Sequence, residues 1–324
     1  MPSELPLLVE VALKAAVVLA VFLTMPLALG QLEHKVMGHM QGRLGPMEAG
    51  PHGILQLVAD GIKFVQKEDV TPAAADRWVF RLAPAVALIP YLVAFAVIPF
   101  GAAWVAADVP GSLLLVLAVT SVGVIGTLMA GWGSGNKYSL LGGMRAGAQL
   151  VSYELPLVIA AASVAMAAGT LSLTGIVQEW SWWWLLWQAP AALVFLAASV
   201  AELQRTPFDA PIADSEVVFG PLTEYTGLRF AFFLLAEYAG MVVMALLFTV
   251  LFLGGWRGPW DEIAVVGVLW TLLKAAVVGV VFLWLRVAWP RVREDQLQRF
   301  AWLVLLPVAL LQLAVTGVGV VVLQ

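Results

Sequence analysis

The chain has 324 residues, of which 62% are hydrophobic and only 12% are charged. Soluble domains carry about 25% charged residues, so this composition excludes a water-soluble globular domain and predicts an integral membrane protein. The net charge of −4 gives no basic surface of the kind that binds nucleic acid. The chain has no cysteine, which excludes a disulfide, a cysteine-held iron–sulfur cluster and a thiolate zinc site. The sequence therefore predicts a membrane protein without a redox centre of its own.

Apolar stretches long enough to cross a bilayer occur eight times along the chain. About 20 apolar residues are needed to cross roughly 30 Å of hydrocarbon. The predicted spans cover about residues 5–31, 79–106, 112–132, 151–169, 182–203, 229–254, 264–286 and 300–323. The fold class predicted is all-α, a polytopic membrane protein in which residues 1–324 form a single integral membrane domain.

The basic residues indicate the orientation of this bundle. Of the 17 Lys and Arg residues, 14 lie in the first, third, fifth and seventh loops or at the helix ends beside them. The other loops contain only Arg257, and Lys14 and Lys274 lie inside predicted spans. By the positive-inside rule, the odd-numbered loops face the cytoplasm and both termini face the outer side.

The first loop contains an amphipathic segment over residues 54–67. Gln56, Asp60 and Lys63 lie on one helical face, and apolar residues lie on the opposite face. A helix of this length rises about 21 Å, which is too short to span a membrane. We predict that it lies in the interface plane on the cytoplasmic side, either as the floor of a lipid-accessible cavity or as a solvated surface helix.

The fifth loop and its borders are acidic, although the loop is predicted to be cytoplasmic. Five carboxylates face only Arg205 and Arg229 there, and they are Glu202, Asp209, Asp214, Glu216 and Glu224. Crowded carboxylates raise one another's pKa and so retain protons. This pattern favours proton handling, and a solvated acidic loop is the alternative.

Charged residues also occur inside the predicted spans, where a charge costs about 2.5–3.5 kcal/mol on insertion scales. Besides Glu10 and Lys14, which are spaced to pair, these are Glu154, Glu237 and Lys274. Lys274 lies mid-span, and we expect an acidic side chain or a bound water to satisfy it. The acids form a line from the cytoplasmic loops toward the membrane middle, which is typical of a proton or charge relay.

Four groups of spaced polar residues carry a family resemblance. The first is Glu33-His34-Lys35, Gln41, Arg43, Gly45-Pro46, Gly50-Pro51, Gly53, Gln56 and residues 59–63 and 67–69. The second is Gly131-Trp132, Ser134, residues 136–140, Arg145, Ala148-Gln149 and Ser152-Tyr153-Glu154. The third is Ala201-Glu202, residues 205–209, Pro211, Glu216, residues 223–225 and residues 236–238. The fourth is residues 254–256, Lys274, Pro290-Arg291, Arg293 and residues 295–297.

With these motifs, residues of about 33–306 resemble the H subunit of bacterial complex I, the NADH–quinone oxidoreductase whose mitochondrial counterpart is the first membrane subunit. The resemblance implies a subunit of the bacterial cytoplasmic membrane that forms a quinone tunnel and couples quinone reduction to proton translocation. The implied substrate is a quinone (ubiquinone or menaquinone), with no metal or flavin bound by this chain. The implied partners are membrane lipid, peripheral-arm subunits carrying the terminal iron–sulfur cluster, and small and antiporter-like membrane subunits.

The resemblance also implies roles for individual residues. The tunnel or its entrance would be lined by Glu33, His34, Arg43, Asp60 and Lys63. The charge path would comprise Glu154, Glu202, Asp209, Asp214, Glu216, Glu224 and Glu237. The charge partners would be Arg145 beside Glu154, Arg205 for the fifth loop, and Lys274.

The chain departs from the family pattern at His34, Met47, Glu48, Gly135, Ile212 and Asp214. These departures leave open which complex the subunit serves. The alternatives are the equivalent membrane anchor of a ferredoxin- or deazaflavin-dependent quinone reductase or of a membrane-bound hydrogenase. A stand-alone proton or cation transporter and a purely structural anchor are further alternatives, although no internal repeat of the transporter kind is present.

Overall fold

The computed structural model describes residues 7–323, apart from the side chains of Leu7, Asp214 and Leu323. Within this range the chain is helical, and no β-strand forms beyond an isolated bridge between Gly101 and Trp104. The α-helices of this range are α1 (Leu7–Met40), α2 (Gln56–Gln66), α3 (Arg77–Val97), α4 (Ser112–Gly133), α5 (Lys137–Ala168), α6 (Leu173–Glu179), α7 (Trp184–Trp187), α8 (Ala189–Glu202), α9 (Asp214–Val217), α10 (Gly227–Phe252), α11 (Ala264–Ala288), α12 (Glu294–Phe300) and α13 (Leu306–Leu323).

Seven helical segments in the described part of the chain are long and apolar enough to cross a membrane. They are α1, α3, α4, α5, α10, α11 and the continuous run from α12 to α13. The predicted all-α polytopic membrane fold is therefore confirmed. The predicted fifth span, residues 182–203, consists instead of α7 and the 14-residue α8. Pro190 in the first turn of α8 is compatible with a helix start but not with a helix interior, so the two helices remain separate.

Three helices have bounds that differ from those of the predicted spans. Helix α1 continues to Met40, so Glu33 and His34 lie on a helix and not in the first loop. Helix α3 ends at Val97 because Ile98 precedes Pro99, which favours extended backbone at Ile98. Helix α5 begins at Lys137, where the Asn136 side chain accepts a hydrogen bond from the Tyr138 backbone N–H at 2.9 Å.

The core of the bundle lies between α3, α4, α5, α8 and α10. Helix α10 is the most enclosed of the spanning helices, with Met241, Leu246 and Leu251 fully buried. Small residues allow close helix contact, as at Gly126 of α4, where an added Cβ would lie 2.4 Å from the Ala87 backbone nitrogen of α3. By contrast, most apolar side chains of α1 point outward, as expected for a helix facing lipid.

Helix α2 forms at the position predicted for the amphipathic segment. Its apolar residues Val58, Ile62 and Val65 are about half or more exposed and point away from the rest of the chain. The chain enters α2 through Gly53, which has φ of +73° and where a Cβ would lie 2.1 Å from the Pro46 carbonyl oxygen. A tight loop therefore holds this helix beside the end of α1.

Candidate functional site

A buried ionic cluster lies at the end of the bundle where α8 ends and α10 begins. Arg205, from the loop of residues 203–226 that connects them (the α8–α10 loop), donates from Nη1 to Glu33 Oε2 at 2.6 Å. Its Nε donates to Glu237 Oε1 at 2.7 Å. Arg286 of α11 donates to the other oxygen of Glu33. Two arginines thus meet two carboxylates, and each charge has an oppositely charged neighbour.

The cluster keeps Arg205 ionised despite its burial. The side chain of Arg205 is 5% exposed and that of Glu33 is 4% exposed. Burial alone acts to lower the pKa of Arg205, but the charges of Glu237 and Glu33 outweigh it and raise the pKa above the ordinary value. The ring of Tyr238 lies with its centroid 4.7 Å from the guanidinium and adds a cation–π contact.

A cavity of about 620 Å³ opens beside this cluster. Its wall is formed by α1, the α8–α10 loop, α10, α11 and the segment after α11. The lining residues are Glu33, His34, Met37, Gln204, Arg205, Thr206, Asp209, Ile212, Ala213, Ser215, Phe219, Leu222, Leu234, Glu237, Tyr238, Arg286 and Arg291. This volume falls in the range of small-molecule pockets. Its wall combines apolar side chains with charged groups that are held in place by ion pairs.

The structure brings only part of the predicted tunnel set to this cavity. Glu33 and His34 line it. Asp60 and Lys63 lie on α2, where their side chains pair at 3.1 Å, and they do not line the cavity. Arg43 lies in the loop after α1, where its Nε donates to Gln41 Oε1 at 3.0 Å.

A second, smaller cavity of about 70 Å³ lies deeper, between α3, α4, α8 and α10. Its polar lining consists of Tyr91, Thr127, Glu202, Gln204 and Glu237. Glu202 is buried, and its Oε2 has no hydrogen-bond partner among the described residues. Glu237 lines both cavities, so one carboxylate lies between the large chamber and the small one.

Glu154 lies well inside α5, further from the helix start than the predicted boundary at residue 151 implied. It accepts a hydrogen bond from the Ser121 hydroxyl of α4. The predicted partner, Arg145, does not contact it. Arg145 instead binds Glu216 through Nη1 at 2.6 Å and Glu294 through Nε at 3.3 Å.

Two acids of the α8–α10 loop, Asp209 and Glu216, are neutralised by arginines remote in sequence, and not by Arg205 as predicted. Arg291, which follows α11, contacts Asp209 at 3.0 Å and Glu216 at 3.1 Å. The hydrogen bond from Arg145, together with the charge of Arg291, holds the pKa of the Glu216 carboxyl below its ordinary value. The prediction that crowding keeps this loop's acids protonated is therefore wrong for Glu216. The side chain of Asp214 lies outside the described residues.

Glu224 lies at the end of the α8–α10 loop and accepts a hydrogen bond from Asn136 Nδ2 at 2.6 Å. Because Asn136 also caps α5, Glu224 connects the loop to the start of that helix. It lines neither of the two cavities.

Lys274 lies apart from the other predicted site residues, near the end of α10. Its ammonium donates to the carbonyl oxygens of Leu253 at 2.8 Å, Gly255 at 2.9 Å and Arg257 at 2.6 Å. The expectation of an acidic or water partner is thus corrected, because an irregular turn after α10 supplies three free carbonyls. A cation at a helix C-terminus is also favoured by the helix dipole.

Four residues at the site were not predicted from the sequence as site residues, and they are Tyr91, Tyr238, Arg286 and Arg291. Tyr238 and Arg291 stand in the motifs that carry the family resemblance, so a signal for them was present. Arg286 entered the sequence analysis only as one of the basic residues that orient the bundle. Tyr91 lies in a uniformly apolar stretch, which gives no signal for a site residue. Within the described residues, no group of three or more His, Asp or Glu side chains has an arrangement that could hold a metal ion.

Fold and site together define a polytopic helical membrane protein with paired arginine and glutamate side chains enclosed between its helices. The family model described as NADH dehydrogenase matches residues 13–317. The H subunit of NADH-quinone oxidoreductase from Geobacillus kaustophilus is 48% identical over 309 residues, covering 95% of this chain and 92% of that protein. The corresponding proteins of Bacillus cytotoxicus (48% over 287 residues) and Anoxybacillus flavithermus (49% over 288) each cover 88% of this chain and are themselves covered to 86%. The chain belongs to this family of NADH-quinone oxidoreductase H subunits, and the resemblance stated from its motifs is confirmed.

Proposed function

We propose that this chain forms the quinone-binding cavity of a proton-pumping NADH–quinone oxidoreductase and couples quinone reduction to proton translocation. The relatives' names supply the reaction class, and the cavity of about 620 Å³ supplies a place for the quinone head group. The chain is a subunit and is not catalytic alone. Electrons reach the quinone, a ubiquinone or a menaquinone, from an iron–sulfur cluster held by a peripheral-arm partner.

The observation that carries this proposal is the position of Glu237 between the two cavities. Reduction of a quinone to a quinol takes up two electrons and two protons. Negative charge that develops in the large cavity favours protonation of nearby carboxylates. Glu237 faces that charge on one side and the small cavity with Glu202 on the other. Its protonation therefore responds to quinone reduction and in turn affects Glu202.

From Glu202, the proposed charge path continues to Glu154, whose carboxylate is held by Ser121. Asp209 lines the large cavity, and Arg291 contacts both Asp209 and Glu216. Asp214 and Glu224, from the same loop, complete the acidic set of the proposed path. Antiporter-like membrane subunits and small membrane subunits would receive the charge signal from the Glu154 side.

Helix α2 is proposed to lie in the membrane interface, beside the entrance through which the quinone tail leaves the bilayer. Its exposed apolar face supports this placement, because such a face is stable against lipid tails. Arg43, Asp60 and Lys63 would then line the entrance and not the head-group cavity.

For the topology, we propose that α7 and α8 together form an eighth span and that residues 1–324 form one membrane domain. The distribution of Lys and Arg supports cytoplasmic odd-numbered loops and outward-facing termini in the bacterial cytoplasmic membrane. The short α8 is accommodated because it packs within the bundle and is largely buried.

The decisive experiment replaces Glu237 with Gln in the assembled complex and measures quinone reduction and proton pumping in sealed vesicles. The matched control is Glu10→Gln, which removes a carboxylate from an exposed pair with Lys14. We expect the control to behave as the wild type and Glu237→Gln to lose most coupled activity while the complex still assembles. Full activity and full pumping in Glu237→Gln would refute the relay role.

Quinone binding is tested separately with a photoreactive quinone analogue. Labelling of α1 near His34 and of the α8–α10 loop, prevented by excess quinone, is the expected result. Labelling confined to partner subunits would leave this chain as a structural anchor and would contradict the cavity assignment.

A further inference from the structure

Tyr91 occupies a position built to hold its ring. It lies on α3 and is 8% exposed. A Cβ added at Gly123 of α4 would lie 3.1 Å from its hydroxyl oxygen, and one added at Gly240 of α10 would lie 3.0 Å from its ring. Two glycines from different helices therefore leave the space that the ring fills, and any larger residue at either position would press on it.

The hydroxyl of Tyr91 differs from those of two other enclosed tyrosines. Tyr153 donates to the Leu297 carbonyl at 2.9 Å, and Tyr225 donates to the Phe80 carbonyl at 3.0 Å. Both are satisfied by backbone and have an evident structural role. Tyr91 makes no side-chain hydrogen bond to another described residue, and its side chain lines the small cavity together with Glu202 and Glu237.

The small cavity meets the conditions for holding water. A water molecule needs a cavity of roughly 10–15 Å³ and two to four polar partners. The cavity offers about 70 Å³, with Thr127 and Gln204 beside the two carboxylates and Tyr91. Glu202 Oε2 lacks a protein partner among the described residues, so it can accept a hydrogen bond from such a water.

We propose that Tyr91 is a proton-relay residue of the charge path, whose hydroxyl holds water between Glu237 and Glu202 and passes a proton between them. Glu237 releases one proton to the water, the water gives one to the Tyr91 oxygen, and the Tyr91 hydroxyl gives its own proton to Glu202. The water and Tyr91 end unchanged, and one proton has moved between the carboxylates. This inference rests on the proposed function of the chain.

The test is Tyr91→Phe in the assembled complex, because phenylalanine keeps the ring between the two glycines and removes only the hydroxyl. The matched controls are Tyr153→Phe and Tyr225→Phe. The readouts are the coupled rate of quinone reduction, the ratio of protons pumped to electrons transferred, the solvent isotope effect in D₂O and the melting temperature.

We expect Tyr91→Phe to lower the coupled rate on the order of tenfold or more and to change the solvent isotope effect, with an unchanged melting temperature. The two controls should lower the melting temperature and leave the isotope effect unchanged. Wild-type rate, pumping ratio and isotope effect in Tyr91→Phe would overturn the proposal. Failure of Tyr91→Phe to assemble would assign its hydroxyl a structural role and overturn it as well.

Comparison with Glu237→Gln separates this inference from the function on which it rests. If Glu237→Gln loses coupled activity and Tyr91→Phe does not, only the role of Tyr91 is refuted. If Glu237→Gln keeps full coupled activity, the proposed charge path itself is refuted.

Discussion

Arg205 binds Glu33 at 2.6 Å across 172 residues of sequence, and this contact joins the α8–α10 loop to the first helix of the bundle. Both side chains are almost completely buried. Because removing one partner of such a pair leaves the other charge buried and uncompensated, the pair should be far more sensitive to single than to double substitution.

The first prediction concerns this pair. Arg205→Met should destabilise the chain by about 3–5 kcal/mol, since it leaves Glu33 and Glu237 without their shared cation. The double variant Arg205→Met with Glu33→Gln should recover part of that loss. Melting temperature and yield of the assembled complex measure both effects, and equal losses in the single and double variants would contradict the prediction.

The second prediction concerns the pH dependence of the contact between Glu216 and its arginines. The pKa of Glu216 is lower in the folded protein than its ordinary value, so the ionised form is favoured by folding. The resulting stabilisation is present above the ordinary glutamate pKa of about 4.3 and is lost as the pH falls through the lower folded-state value. The protection of amides in the α8–α10 loop, taken relative to their intrinsic exchange rates at each pH, should therefore fall on acidification below pH of about 4.

Glu216→Gln provides the control for this pH effect. The variant should exchange faster than the wild type at neutral pH, and the step at low pH should diminish. Because Glu216 is 45% exposed, the overall stability should change little. A wild-type step that persists undiminished in Glu216→Gln would assign the acid sensitivity to another group.

The third prediction concerns Lys274. Lys274→Met removes the donor from three part-buried carbonyls and should cost about 1–3 kcal/mol, the range for an acceptor left without its partner. Lys14→Met is the matched control, since Lys14 also lies in a spanning helix but is 49% exposed and makes only one exposed pair. The melting temperature of Lys274→Met should be clearly lower than that of Lys14→Met. Similar melting temperatures would argue against a stabilising role for the three carbonyl contacts of Lys274.

The fourth prediction compares two glycines. Gly126→Ala should destabilise the bundle, because its Cβ would lie 2.4 Å from the Ala87 nitrogen and would force α3 and α4 apart. Gly61→Ala on α2 meets no atom within 4 Å and should stabilise that helix by about 1 kcal/mol through helix propensity. The melting temperature should fall in Gly126→Ala and rise in Gly61→Ala, relative to the wild type.

The membrane fold and most helices follow from local sequence features. Apolar length predicted the long helices, and the period of residues 54–67 predicted α2. The division into α7 and α8 and the early start of α5 depend on Pro190 and on the Asn136 cap, which act at single positions. A window of average hydropathy does not resolve such signals.

The site was predicted as a set of residue types and not as a set of pairs. The sequence indicated Glu33, Arg205 and Glu237 separately, but pairing depends on which helices meet. Arg145 was assigned to Glu154, which lies nearby along the chain, whereas it binds Glu216 from a distant loop. Lys274 was expected to meet an acid because backbone carbonyls carry no sequence signature.

The ionic cluster has a consequence for how the chain enters the membrane during synthesis. Glu33 is translated 172 residues before Arg205 and 253 residues before Arg286. At about 5–20 residues per second, its carboxylate waits on the order of tens of seconds for its second arginine. During that interval Glu33 lacks its arginine partners, and its charge is most stable at the lipid–water boundary. The cluster closes only when α11 has arrived, so it forms late in synthesis, with only α12 and α13 still to follow.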